Sequence, residues 1–188
     1  MEALLPAFIA AALAEWGDKT QLVILALAIR YGRPGPLLIG VAIGAMASGL
    51  FAGFAGTLVH GTVTLRALSL LLGVALIFAG ASAFLARKAP DYAATLAGPA
   101  VIAAALGVFL AEFGDRTQFI TFALAARSDS MLLPAFGAAA GVMAASVPAV
   151  LLGPKLKAAV PIKAIRIGGG ILFLIAGLIV ALNALRLV

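Results

Sequence analysis

The chain has 188 residues, of which 64% are hydrophobic and 11% are charged, and its mean hydropathy is +1.21. A soluble domain of this length needs about a quarter of its residues charged to cover its surface, so the composition excludes that class. A net charge of +6 would favour nucleic-acid binding in a soluble protein. In an integral membrane protein, basic residues instead gather at the ends of the spans and meet anionic headgroups. We therefore expect a lipid bilayer around this chain and no nucleic-acid partner.

Six apolar stretches are each long enough to cross a bilayer as a helix, which predicts an all-α integral membrane protein. In chain order, the predicted spans cover about residues 4–29, 37–59, 67–86, 99–125, 132–152 and 165–185. Short segments with glycine, proline and charged residues separate them, as is typical of loops. No stretch is left for a soluble domain, so residues 1–188 are expected to form a single transmembrane domain.

The second half of the chain repeats the first half at an offset of 97 residues. The string Ala-Glu-Trp-Gly-Asp-Lys-Thr-Gln at 14–21 returns as Ala-Glu-Phe-Gly-Asp-Arg-Thr-Gln at 111–118. The offset holds beyond the motif without a gap, for example from Gly40 to Gly137. The two strings lie in the first and fourth predicted spans, so each half of the chain carries one copy.

The repeat predicts two three-helix units, about 1–88 and 98–188, with opposite orientations in the membrane. The orientation is opposite because each unit has an odd number of spans. Secondary transporters commonly use such inverted repeats, with the substrate site near the membrane midplane where the units meet.

Lysine and arginine residues outside the motifs are unevenly distributed between the two sides of the predicted domain. One side has eight of them: Arg30, Arg33, Arg87, Lys88, Lys155, Lys157, Lys163 and Arg166. The other side has three: Arg66, Arg127 and Arg186. By the positive-inside rule the richer side faces the cytoplasm. This predicts a multi-pass protein with both termini outside. In a bacterium with two membranes, the expected location is the inner (cytoplasmic) membrane, with the termini in the periplasm.

Four of the seven acidic residues lie in the two strings: Glu15, Asp18, Glu112 and Asp115. Ionisable groups at membrane depth are costly and usually functional. Neutral oxygen donors follow the acids directly: Thr20, Gln21, Thr117 and Gln118. An oxygen-rich set without cysteine or histidine suits a hard cation such as Ca²⁺, Mg²⁺ or Mn²⁺. Ser48 and Ser146, at nearly matching positions, are second-choice ligands.

Helical spacing would put both carboxylates of each motif on one side of its helix, with Lys19 close to Glu15 and Arg116 close to Glu112. Gly17 and Gly114 weaken a helix, so the motifs can also be kinked or unwound. The sequence leaves both arrangements open.

Charge balance points to one divalent ion. Four carboxylates against Lys19 and Arg116 leave a charge of −2, which a single divalent cation neutralises. In an empty site the low dielectric disfavours charged carboxylates, so protons are expected to compete with the metal. This predicts a metal/proton antiporter with no permanently bound cofactor. The alternative is that the bases and acids form structural ion pairs within each motif, or between Asp18 or Asp115 and the base of the other half.

The doubled Glu-x-Gly-Asp-[Lys/Arg]-Thr string resembles the signature of a cation/proton antiporter family. That family includes the eukaryotic Golgi manganese/calcium transporters and the bacterial MneA-type manganese exporters, and the resemblance covers essentially the whole chain. It implies a secondary transporter, not an enzyme, that exchanges Mn²⁺ or Ca²⁺ for H⁺ and exports Mn²⁺ by alternating access. The family's motif residues correspond to Glu15, Gly17, Asp18, Lys19 and Thr20, and to Glu112, Gly114, Asp115, Arg116 and Thr117.

Two other functions stay open at this point: export of a small organic cation such as a basic amino acid, and a membrane scaffold without transport. The sequence does not rank Mn²⁺ above Ca²⁺. It also leaves the oligomeric state open, a homodimer included.

Overall fold

The computed structural model describes residues 2–85, 87–128 and 130–187, without the side chains of Ala94 and Thr95. All regular secondary structure in these residues is helical. The helices are α1 (Leu4–Ala14), α2 (Lys19–Tyr31), α3 (Pro34–Val59), α4 (Leu65–Ser82), α5 (Tyr92–Thr95), α6 (Ala100–Glu112), α7 (Arg116–Ala126), α8 (Leu132–Leu152), α9 (Leu156–Ala159) and α10 (Ile162–Leu185), with a 3-10 turn (Gly153–Lys155) before α9.

The first and fourth predicted spans are each broken into two helices at the acidic motif. The break between α1 and α2 contains Gly17, and the break between α6 and α7 contains Gly114. Both glycines have φ +69°, a left-handed conformation that a right-handed helix does not accommodate. The prediction of an unwound motif is therefore confirmed, and the continuous helix with Lys19 one turn after Glu15 is wrong.

Within the described residues, four helical segments are long and apolar enough to cross a membrane: α3, α4, α8 extended through α9, and α10. The predicted span 132–152 matches α8, while α3, α4 and α10 each begin two or three residues before the predicted start. α3 begins at Pro34, because proline suits the first turn of a helix. α4 ends at Ser82, so the predicted continuation toward 86 is wrong as far as Leu85, and residue 86 lies outside the described residues.

Helices at equivalent positions of the repeat pack reciprocally. α1 packs on α8 as α6 packs on α3, and α3 contacts α8 while α4 contacts α10. Gly40 of α3 faces the backbone of α6, and Gly137 of α8 faces the backbone of α1. A Cβ at either glycine would overlap a carbonyl oxygen, of Val101 and Leu4 respectively. The glycines therefore permit the close helix contact that small residues give in membrane proteins.

The outer faces of the long helices carry large apolar side chains that the protein itself does not cover. Examples are Ile39 and Phe54 of α3 and Leu178 of α10, which are all about half exposed. An apolar exterior of this extent matches a lipid-facing surface.

One pair of equivalent interfaces differs between the halves. α4 packs on α7, where the rings of Phe78 and Phe119 are 6.3 Å apart in an edge contact. Between α2 and α10, which are the equivalents of α7 and α4, lies a cavity of about 770 Å³ lined by Leu22, Leu25 and Ile167 among others. The interface between α4 and α7 is therefore closed, whereas the equivalent interface between α2 and α10 is open.

Candidate cation site

The two unwound motifs meet in the centre of the molecule and bury their acidic side chains. Glu15, Asp18, Glu112 and Asp115 are each at most 5% exposed. One carboxylate oxygen from each of Glu15, Asp18 and Asp115 lies within 4.8 Å of the other two. Two oxygens on opposite sides of a bound Ca²⁺ are about 5 Å apart, since each lies about 2.3–2.6 Å from the ion. These three carboxylates are thus close enough to bind one cation together.

The bases of the motifs pair across the interface between the halves. Lys19 Nζ lies 3.2 Å from Asp115 Oδ1, and Arg116 Nη2 lies 3.4 Å from Asp18 Oδ2. Each base therefore contacts the aspartate of the other motif. Of the two alternatives that the sequence left open, the pairs between the halves are formed, and the Glu15–Lys19 and Glu112–Arg116 pairs within each motif are not. The physical reason is the break at each glycine, which removes the helical spacing that would bring a base back to its own glutamate.

The motif threonines also reach across this interface. Thr20 Oγ1 donates a hydrogen bond of 2.8 Å to Glu112 Oε1, and Thr117 Oγ1 donates one of 2.5 Å to Glu15 Oε1. Each hydroxyl thus fixes the glutamate of the opposite motif. The threonines support the carboxylates in this geometry, and a direct contact with a cation stays a prediction.

The motif glutamines hold the unwound loops in place. The backbone N–H of Gly17 donates to Gln21 Oε1 at 2.9 Å, and that of Gly114 donates to Gln118 Oε1 at 2.8 Å. Their amide nitrogens donate to the neighbouring long helices, Gln21 to the Ala145 carbonyl oxygen and Gln118 to the Ser48 hydroxyl. Because their oxygens bind the loops, these glutamines act as supports in this structure. Ser146, the other second-choice ligand, donates instead to the Val142 carbonyl.

Arg87 is a residue of this site that the sequence interpretation missed. It follows the end of α4, and its Nε lies 2.9 Å from Asp18 Oδ1. The sequence placed Arg87 among the loop charges that set orientation. The repeat gave no signal either, because Ala184 occupies the equivalent position in the second half.

Arg87 also changes the predicted charge of the site. Four carboxylates now face three bases, Lys19, Arg87 and Arg116, so the fully ionised cluster carries −1 and not −2. Arg116 is held more firmly than the other two, because its guanidinium also donates to the Ala14 carbonyl oxygen and to Ser82 Oγ. Ser82 is a second site residue that the sequence did not indicate.

Several carboxylate oxygens in the cluster are buried and have no hydrogen-bond partner in the part of the chain that the structure describes. They are Glu15 Oε2, both oxygens of Asp18, and Asp115 Oδ2. The Asp18 oxygens are balanced by the guanidiniums of Arg87 and Arg116. Buried polar atoms in proteins nearly always have a partner, so the Glu15 and Asp115 oxygens require an explanation. Oxygen atoms of this kind are the ligands that hard cations prefer. The residues present therefore fit a bound divalent cation.

The large cavity leads to the first motif. Gly17 and Gln21 contribute to its wall, together with the basic residues Arg87, Lys157, Lys163 and Arg166. The enclosed space at the second motif, beside Glu112, measures only about 10 Å³. That is about the least volume that holds one water molecule, so the larger of these two spaces lies at the first motif.

Long apolar helices around a buried cluster of carboxylates define a multi-pass membrane protein of the transporter class. The chain belongs to the family described as "Divalent cation/proton antiporter GDT1", whose model matches residues 3–91 and 100–187. The family resemblance expected from the two motifs is thereby confirmed.

Two relatives illustrate the similarity. A Vibrio cholerae protein named "Putative manganese exporter" is 33% identical over 172 residues, which cover 90% of this chain and 86% of the relative. A GDT1-like protein of Schizosaccharomyces pombe is 35% identical over 95 residues, which cover 50% of this chain and 33% of the relative. No solved structure matches the chain.

Proposed function

We propose that this protein is a divalent cation/proton antiporter that exports Mn²⁺ from the cytoplasm, with Ca²⁺ as the other candidate substrate. The observation that carries the proposal is the set of three buried carboxylates, Glu15, Asp18 and Asp115, with oxygens within 4.8 Å of one another. Membership of a divalent cation/proton antiporter family supports exchange. The name of the Vibrio cholerae relative supports manganese as the cargo.

In the proposed arrangement six crossings form a single transmembrane domain of two inverted three-helix units, about 1–88 and 98–188. α1 and α2 together make one crossing and α6 and α7 make another, while α3, α4, α8 and α10 each cross alone. The reciprocal packing of equivalent helices supports this assignment, because an axis in the membrane plane would relate the two halves.

The difference between the two halves suggests how access would alternate. In this structure α7 is closed against α4, and the equivalent cavity between α2 and α10 is open. If α2 closed against α10 while α7 separated from α4, the first motif would be closed. The second motif would then be open, and the site could be reached from the opposite side of the membrane. The cavity carries Arg87, Lys157 and Lys163 from the side rich in basic residues, so we assign it to the cytoplasm and both termini to the outside.

Each motif residue has a role in this proposal. Glu15, Asp18, Glu112 and Asp115 would bind the cation and accept the exchanged protons when the cation leaves. Lys19 and Arg116 would balance the charge of the empty site, while the motif threonines and glutamines hold the carboxylates and loops. The cation is cargo, so the protein needs no permanently bound cofactor for this chemistry.

The test is reconstitution of the purified protein in liposomes that contain a fluorescent metal reporter and a pH reporter. We expect Mn²⁺ flux accompanied by opposite movement of H⁺. Glu15→Gln and Asp115→Asn should each reduce the flux by more than about tenfold, since even outer-shell changes at metal sites cost about 10–100-fold. Glu2→Gln is the matched control, because Glu2 is exposed and far from the cluster in sequence.

Other results would contradict the proposal in distinct ways. Mn²⁺ flux without counter-movement of H⁺ would refute the exchange and leave the cation site standing. Competition by lysine or arginine would favour an organic-cation exporter. Absence of any flux, with acid-to-amide variants as stable as the wild type, would favour a scaffold.

A further inference from the structure

The two aspartates of the cluster have different surroundings, although their motifs are nearly identical. Asp115 contacts Lys19, whereas Asp18 contacts both Arg116 and Arg87. The extra arginine comes from the segment between the halves, and its equivalent in the second half is Ala184. The first motif therefore carries one positive charge that the second motif lacks, and it lies on the side with the open cavity.

The two arginines on Asp18 are held in different ways. The Arg116 side chain is 1% exposed and is fixed by hydrogen bonds to the Ala14 carbonyl and the Ser82 hydroxyl. The Arg87 side chain is 25% exposed and lines the cavity, and its Nε has no aligned hydrogen-bond partner. Arg116 is thus built into the protein interior, while Arg87 contacts Asp18 through charge and has space to withdraw.

The segment that follows Arg87 is fastened to the helix that follows the first motif. Arg30 at the end of α2 donates a hydrogen bond of 2.7 Å to the Leu96 carbonyl, and the Tyr31 hydroxyl donates one of 2.9 Å to the Gly98 carbonyl. α5 also packs on α2. Arg87 therefore lies between the end of α4, five residues earlier, and a segment that is bound to α2, and this limits how far its backbone can move.

A divalent cation and the Arg87 guanidinium compete for the same carboxylate. Among the described residues, both oxygens of Asp18 lack hydrogen bonds and are balanced by the two arginines. A cation bound to Asp18 would lie against the Arg87 charge and be repelled by it. Withdrawal of Arg87 into the cavity restores the charge of −2 that one divalent ion neutralises.

We propose that Arg87 is a tethered counter-ion that occupies Asp18 in the empty, cavity-open state and is displaced when the cation binds. This inference rests on the proposed function. Because the cation must displace Arg87, its affinity when it enters from the cavity is lower than the same carboxylates would give without Arg87. Because the second half has no equivalent arginine, this lowering applies to one side of the membrane only.

The test compares Arg87→Gln, Arg87→Lys and Lys88→Gln with the wild type. Lys88 is the matched control because it is the next residue, exposed and basic. Mn²⁺ affinity is measured by calorimetry on the purified full-length protein, and KM and kcat are measured in liposomes. We expect Arg87→Gln to lower the Kd about tenfold, which corresponds to about 1.4 kcal/mol, and to lower KM and kcat together as release slows. Arg87→Lys and Lys88→Gln should keep the wild-type Kd.

A double variant distinguishes a direct contact from a general charge effect. In the Asp18→Asn background, Arg87→Gln should give no further change in Kd, because the shared carboxylate charge is absent. A tightening that persists in that background would overturn the role assigned to Asp18.

Failure of this inference is separable from failure of the proposed function. A wild type that binds neither Mn²⁺ nor Ca²⁺ would refute the proposed function itself. A wild type that binds Mn²⁺, with an Arg87→Gln variant of equal melting temperature and unchanged or weaker affinity, would refute only the counter-ion role. If Arg87→Gln does not fold, Arg87→Met keeps most of the apolar stem and gives the same comparison.

Discussion

Lys19 of the first motif and Asp115 of the second motif form an ion pair of 3.2 Å, although 95 residues separate them in the chain. Arg116 makes the reverse contact, to Asp18. The threonine hydroxyls cross in the same way, each to the other motif's glutamate. Neither half can therefore build this cluster alone, and the polar contacts that orient the acids also join the two halves.

Arg116→Gln should destabilise the protein much more than Lys19→Gln. Arg116 is buried and also donates hydrogen bonds to the Ala14 carbonyl and to Ser82, so its loss breaks several buried contacts, and a hydrogen bond to a charged group contributes about 1.5–3 kcal/mol. The Lys19 side chain is 25% exposed, so water screens its loss and the expected cost is about 1 kcal/mol or less. Thermal unfolding in detergent measures both. Equal losses would mean that the additional buried contacts of Arg116, to Ala14 and Ser82, do not stabilise the interface.

Thr20→Val and Thr117→Val should each weaken the cluster by a similar amount. Each variant removes one hydroxyl donor to a buried glutamate, and hydrogen bonds to charged groups contribute about 1.5–3 kcal/mol. The serine variants keep the donor and should restore most of the stability and flux. Thr62→Val is the control, because that hydroxyl bonds an exposed backbone carbonyl outside the motifs. If the valine variants transport as fast as the wild type, the orientation of Glu15 and Glu112 by these hydroxyls is not needed for transport.

Gly17→Ala and Gly114→Ala should both impair transport, with the larger loss of stability at Gly17. Both positions have φ +69°, where a side chain costs about 1–2 kcal/mol. A Cβ at Gly17 would also press on Ile162, whereas nothing lies within 4 Å of one at Gly114.

Gly32→Ala provides the matched control for these two variants. Gly32 has φ +62° and an open surrounding, so alanine there costs similar backbone strain at a distance from the motifs. Stability should fall and flux per folded molecule should stay at the wild-type level. Unchanged flux in Gly17→Ala would show that the left-handed turn is not needed for transport.

Gly40→Ala and Gly137→Ala should separate the helix pairs that carry the motifs. A Cβ at these positions overlaps the backbone of α6 and of α1, and such overpacking costs about 1–3 kcal/mol. Gly168→Ala in α10 is the control, since a Cβ there meets nothing within 4 Å. Alanine at Gly168 should stabilise its helix by about 0.5–1 kcal/mol. The measurement is the melting temperature, which should fall in Gly40→Ala and Gly137→Ala and rise in Gly168→Ala. A fall of equal size in all three variants would contradict the close packing at Gly40 and Gly137.

Much of the fold could be predicted from the sequence because its causes are local. Stretches of apolar residues set the long helices, and α8 coincides with its predicted span. Glycine at the centre of each motif made an unwound segment foreseeable. The ends of α4 were harder to place, because the apolar run continues past Ser82 although the helix does not.

Most members of the candidate site could be predicted from the sequence, whereas their pairing stayed open between contacts within a motif and contacts between the halves. The repeated strings identified the four acids and the threonines and glutamines beside them. Arg87 carried no comparable signal, since it lies outside the motif and has no repeat equivalent.

The sequence by itself determined a membrane protein with two copies of an acidic, oxygen-rich motif, because hydropathy and repetition are properties of the chain. The tertiary structure alone decided which base meets which acid. Ion pairing depends on distance in space, and the left-handed turns at Gly17 and Gly114 aim each motif at the other half. It also decided the difference between the halves, with Arg87 and the open cavity on the side of the first motif. The two nearly identical motifs have different surroundings because some of the residues that contact them, such as Arg87, lie in segments that are not repeated.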